Sequence, residues 1–133
     1  MSEDMEALYE ASFTLIGIAG DSKAESMQAI DCCKQGDFEG ARKHLAAADE
    51  TMVKAHDAQT EMLQQEAEGN PVPVNIILVH AQDHLTMAQV MRDMAEQFMD
   101  LYQTVQRDLI PVLNGILIFL LQHNIQLLFR IID

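Results

Sequence analysis

Two of the five histidines, His80 and His84, stand four residues apart with a carboxylate, Asp83, between them. On a helix, residues i and i+4 are neighbours, so this spacing sets two imidazoles side by side. Three readings of such a pair compete. One is a metal site. The zinc-protease pattern needs a glutamate directly after the first histidine, and Ala81 stands there instead; nothing along the chain points to a third ligand. The second is structural: a histidine on a half-apolar face is commonly a polar group with a hydrogen-bond partner. That reading suits His44, His56 and His123, with His56 also within possible reach of a third helix. The third is nucleophilic. A neutral imidazole nitrogen attacks phosphorus and titrates near neutral pH, so it can accept a phosphoryl group and pass it on. Such a carrier needs one exposed ring nitrogen, a neighbour that fixes the other, and donors for the phosphate oxygens. His80 is then the nucleophile, with Gln82 and His84 as donors. Gln82 has to reach round the helix or serve a neighbouring chain.

The elements that must position these residues are helices. Ala, Met, Leu, Gln and Glu are plentiful, while there is no Trp and only 3 Pro and 6 Gly. A first helix is expected from about Met5 to Lys34, with Leu8, Phe13, Leu15, Ile16, Ile18, Met27 and Ile30 as apolar contacts. Gly17 and Gly20 would interrupt it or allow a close crossing. Gly36 suits a position just past its end, and Asp37 an N-cap for the next. In the second helix, about Phe38 to Glu68, one face carries Phe38, Ala41, Leu45, Ala48, Met52, Ala55, Gln59 and Met62. Gly69-Asn70-Pro71-Val72-Pro73 ends it, and short turns predict antiparallel packing.

The third helix, about Val74 to Val105, carries two apolar stripes. Ile77, Ala81, Leu85, Ala88, Met91, Ala95, Phe98 and Tyr102 would face the first two helices. Ile76, His80, Asp83, Met87, Val90, Met94 and Leu101 follow a seven-residue pattern and need a second partner, such as another copy of the chain. Pro111 predicts a break and then a separate fourth helix. That tail is apolar, yet Asn114, Gly115, Gln122, His123, Asn124, Gln126 and Arg130 interrupt it, which argues against a transmembrane span.

At 133 residues the chain suits a single globular domain. Its net charge of −13, from 21 acids and 8 bases, would repel a phosphate backbone, so nucleic acid is not an expected partner. The charge serves solubility or steering toward a basic partner. Cys32 and Cys33, adjacent on a helix, point about 100° apart and are poorly placed to bridge. The acidic start, Met1-Ser2-Glu3-Asp4, is unlike a signal peptide, and a reducing cytoplasm is the expected location.

The stretch Leu78-Val79-His80-Ala81-Gln82-Asp83-His84-Leu85 resembles the signature of the enzyme IIA components of the lactose/N,N′-diacetylchitobiose (cellobiose) branch of the bacterial phosphoenolpyruvate-dependent sugar phosphotransferase system (PTS). Ala19-Gly20-Asp21, Gln35-Gly36-Asp37-Phe38, Ala55-His56-Asp57-Ala58-Gln59-Thr60 and Glu66-Ala67-Glu68-Gly69 resemble the same family in the same order, so the likeness runs from about Leu15 to Tyr102. It implies an all-α, antiparallel three-helix subunit that assembles as a homotrimer, its third helices packed about the threefold axis. It also implies a phosphotransferase component: His80 receives the phosphoryl group from HPr and passes it to a cysteine of the IIB component. The family's acidic residue on the axis falls on Asp83, where a divalent cation, usually Mg2+, is held. Three Asp83 carboxylates meeting there would repel unless protonated or bridged by a hard cation, so the ion's role is structural.

Two features depart from the family pattern. Thr86-Met87 stands where Met-Thr is usual, and an apolar tail continues beyond about Arg107. The expected organisation is a IIA-type domain over 1–107 and an apolar C-terminal extension of unassigned role over 108–133. The alternative is a helical adaptor or oligomerisation protein, or a metal-binding bundle, without phosphotransfer. The resemblance also implies that sugar contacts belong to the membrane component of such a system.

Overall fold

The structure is a computed structural model that describes residues 3–132, with side chains described over 5–125. It is all-α: α1 (Glu3–Lys34), α2 (Phe38–Ala67), α3 (Ile76–Thr104), a π-helical turn (Val105–Leu109) and α4 (Ile110–Ile132). Residues up to Met99 form one compact unit, and those from Asp100 form another.

In the first unit the cross-helix pairs give the direction of packing. Ser22 on α1 meets Ala48 on α2, and Glu25 meets His44. On α3, Gln82, Gln89 and Arg92 meet Gln59, His56 and Asp49 of α2 respectively. In both sets one number rises as the other falls, so each neighbour is antiparallel. The core joins Leu15 and Ala19 of α1, Met52 and Ala55 of α2, and Ala81, Leu85 and Ala88 of α3. Its many alanines let the helix axes approach closely, and close packing of small side chains then supplies the cohesion.

The buried face of α1 differs from the one its large apolar residues suggest. Ser12, Leu15, Ala19, Ser22, Ser26, Ala29, Ile30 and Cys33 are buried, whereas Phe13 and Met27 are exposed. The serines can be buried because their hydroxyls have acceptors: Ser12 and Ser26 donate to the carbonyls of Leu8 and Ser22, and Ser22 donates to the Ala48 carbonyl. Gly17 and Gly20 neither break α1 nor mark a close crossing, since a methyl group at either would meet open space. Cys33 is buried, which pushes its thiol pKa up, and both cysteines are free.

The turn between α1 and α2 follows the expected chemistry. Gly36 takes a positive φ of 77°, and the Asp37 carboxylate accepts from the Gly40 N–H at 2.8 Å. Gly40 leaves room for that carboxylate, which a Cβ would displace. Asp37→Ala is therefore expected to cost about 1 kcal/mol, read as a thermal transition lowered by a few degrees with helicity otherwise kept.

Pro111 does not break the chain into separate helices. Its ring would clash with the carbonyl four residues back in a regular helix. The π turn just before it absorbs the conflict: the Ile110 N–H bonds to the Val105 carbonyl, five residues back, and Pro111 falls in the first turn of α4. Helical backbone thus runs without a gap from Ile76 to Ile132. By length and composition this helix, followed to Ile125, can cross a membrane, and none of its most apolar 18-residue window is buried. The polar residues expected to interrupt the tail leave its backbone helical.

Candidate functional site

The site lies in the first three turns of α3, and the start of that helix is fixed by a residue that sequence reasoning passed over. Asn75 Oδ1 accepts from the N–H groups of Ile77 and Leu78, both at 3.0 Å, which makes Asn75 the N-cap. Its signal was present: an asparagine after Pro73 and before an apolar run. From there the rotation of α3 is set by its buried stripe, Leu78, Ala81, Leu85, Ala88 and Ala95. Ala81 and Leu85 belong to the core, so the residues beside them have prescribed directions.

His80 and Asp83 are exposed, and His84 is half-buried. The imidazoles of His80 and His84 pack edge to face with ring centres 4.4 Å apart. Among the described residues neither His80 nor Asp83 has a hydrogen-bond or ion-pair partner within the chain. The His80 ring is therefore open to an incoming molecule on its outer side and supported by His84 on its inner side.

Gln82 is not brought to His80. Two residues along a helix means about 200° of rotation, and Gln82 turns toward α2, where Gln59 Nε2 donates to its Oε1 at 2.6 Å. That contact occupies the amide oxygen of Gln82 and leaves its NH2 group as a donor. Gln59 was legible as part of the α2 face, where a glutamine among Ala55 and Met62 is out of character, but its partner was not. His56 does reach α3, with Nε2 3.3 Å from Gln89 Oε1. His44 pairs with Glu25 at 2.6 Å, and His123 stacks on Phe119. Arg92 ties α3 to α2 through Asp49 and also binds Glu96; these carboxylates hold its guanidinium firmly in the charged form.

Among the described residues of the first unit, no element covers the seven-residue stripe that carries His80 and Asp83. Ile76 is 80 % exposed, Val90 56 % and Met87 49 %. Among the described residues no group of three or more His, Cys, Asp or Glu is placed to hold a metal ion. One chain therefore offers a single carboxylate, Asp83, on this face. A hard cation would fit only where several copies of Asp83 meet.

Residues 10–103 match the family model described as PTS system, Lactose/Cellobiose specific IIA subunit. The chain is 41 % identical over 105 residues to the lichenan-specific phosphotransferase enzyme IIA component of Bacillus subtilis, covering 79 % of this chain and 93 % of that one. It is 33 % identical over 91 residues to the PTS system lactose-specific EIIA component of Streptococcus mutans, covering 68 % of this chain and 88 % of that one. Among solved structures, the crystal structure of the PTS cellobiose-specific enzyme IIA from Bacillus anthracis superposes with a TM-score of 0.74 at 32 % identity, covering 81 % of this chain and 95 % of that one. The IIA(chitobiose)–HPr complex of the Escherichia coli N,N′-diacetylchitobiose branch gives 0.66 at 25 % identity, covering 80 % and 99 %. α4 lies beyond the matched span.

Proposed function

Because the chain belongs to the lactose/cellobiose-specific IIA family of the PTS, a family of phosphotransferase components, we propose that His80 is its phosphoryl carrier. The observation that carries this reading is the exposed His80 ring, without a hydrogen-bond partner among the described residues and backed by His84 with ring centres 4.4 Å apart. Phospho-HPr is the donor, in keeping with the HPr complex of the Escherichia coli relative. An imidazole nitrogen of His80 attacks phosphorus, the N–P bond forms, and the bond from phosphorus to HPr breaks. A cysteine thiolate of the cognate IIB component then attacks the same phosphorus, and His80 departs as free imidazole. His84 donates to the phosphoryl oxygens, offsetting charge where it is concentrated. The relay runs in the cytoplasm.

The working assembly is a homotrimer built on the exposed stripe of α3. In it Gln82, turned away from its own His80, serves the phosphoryl group of a neighbouring chain. Three copies of Asp83 would hold a divalent cation such as Mg2+, which offsets the repulsion among the carboxylates and takes no part in transfer.

The test is passage of labelled phosphate from phosphoenolpyruvate through enzyme I and HPr to the protein. The expected label is lost in acid and kept in base, as a phosphoramidate is. A folded protein that takes no label, or holds it in acid, removes the phosphohistidine reading. Gln59→Leu frees the Gln82 side chain without touching His80. Losing one positioning hydrogen bond, worth about 0.5–1.5 kcal/mol, is expected to slow labelling roughly 2- to 10-fold with helicity unchanged.

A further inference from the structure

The C-terminal helix is the largest feature that the phosphocarrier role leaves unused. We propose that α4 inserts across a lipid bilayer and tethers this chain to a membrane. The proposal does not depend on the role of His80, and it reverses the expectation drawn from the interrupted sequence.

Length comes first. No Asp, Glu, Lys or Arg occurs between Asp108 and Arg130, and the backbone through this run is helical. At about 1.5 Å per residue the run spans roughly 31 Å, against a hydrocarbon core of about 30 Å. Charged residues thus stand at its two ends.

Leu109, Ile110, Val112, Leu113, every residue from Ile116 to Leu121, and Ile125 are all exposed. A soluble core helix of this composition would be buried, and none of this apolar window is. The helix follows a folded bundle, so it is also misplaced for an N-terminal signal sequence.

The distribution of polar residues chooses the occupant. At 100° per residue Asn114, Gln122, His123 and Asn124 are spread round the helix at intervals of about 80–100°. They make no continuous face for water. A helix lying flat in the membrane interface needs a charged face, and this run has no charge. Packing against a second copy would cover one stripe of each helix and leave the remaining apolar side chains in water. Lipid covers every side, and the helical backbone meets its own hydrogen-bond needs there.

The experiment is flotation of the purified full chain with phosphatidylethanolamine/phosphatidylglycerol vesicles at 0.15 M and 1 M NaCl, together with carbonate washing of cell membranes. The wild type is expected to float at both salt concentrations and to resist carbonate. The double variant Leu117→Arg/Ile118→Arg places two charges at mid-helix, and its floating fraction is expected to fall at least tenfold. Its far-UV helicity and the thermal transition of the bundle should be unchanged, since neither residue belongs to the core. A wild type that sinks, whether as a defined oligomer through α4 or as aggregate, overturns the proposal. So does equal flotation of wild type and double variant, which would place membrane binding elsewhere.

Discussion

His80→Ala is expected to abolish acceptance of phosphate from phospho-HPr, with labelling reduced more than about 1000-fold. The effect is this large because the substitution removes the atom that bonds to phosphorus, and no neighbouring group takes its place. Asp83 is a carboxylate that would repel the incoming phosphoryl group, and His84 is half-buried beneath the His80 ring. His84→Ala should behave differently. It removes a donor to a charged group, typically worth about 1.5–3 kcal/mol, so labelling should fall roughly 10- to 100-fold and remain measurable. His56→Ala, whose ring meets Gln89 instead of the site, should label as the wild type does. Because His80 is exposed and outside the core, loss of its ring should change stability by less than about 0.5 kcal/mol. Lost labelling together with an unchanged thermal transition therefore reports chemistry and not unfolding. Retained labelling in His80→Ala would move the carrier to another histidine.

The three helices of the bundle, the first turn and the outward position of His80 were legible from residue pattern, whereas the break expected at Pro111 was not found. Gly36 and Asp37 announce the turn through backbone chemistry that few other residues supply, and the structure gives Gly36 a positive φ and Asp37 the cap. The two stripes of α3 separated well where the inner one is rich in alanine, but Phe98, expected inside, is exposed, and Leu78, on neither stripe, is buried. Ala81, Ala88 and Ala95 are fully buried, while Val90 and Met87 remain outside.

The misreadings share a cause. Sequence reasoning ranked residues by apolar bulk, whereas this bundle packs by smallness. On α1 the serines at 12, 22 and 26 lie inside and Phe13 outside, because a hydroxyl that bonds a backbone carbonyl adds little polar cost and no bulk. Pro111 misled for a related reason: a proline's conflict is with one carbonyl, and a single wide turn resolves it locally. The Gln59–Gln82 bond could not be read from either helix alone, since it depends on the register between them.

Register and rotation also bear on assembly, where the second large effect is expected. Val90→Glu should dissociate the proposed trimer, read by sedimentation in a non-ionic detergent that shields α4. Val90 shares the exposed stripe with Met87 and Met94 and is 56 % exposed in the single chain. In a threefold arrangement of α3 its three copies would meet near the axis. Replacing them with glutamates would bring together three carboxylates that must each lose water, at several kcal/mol per ion, without a cation to bridge them. The association constant should fall at least about 10^4-fold, leaving folded monomers, because Val90 is absent from the core of its own chain. Phe13→Glu is the control: it places the same charge at an equally exposed apolar position, 59 % exposed on α1 and off the stripe, and it should leave the oligomer intact. Asp83→Leu separates the cation from the packing. It replaces the repelling carboxylates with apolar side chains, so its trimer should withstand chelation by EDTA, whereas chelation should loosen the wild type. If Val90→Glu sediments as the wild type does, the stripe does not form the axis. Gln82 would then lose the neighbouring His80 it is proposed to serve.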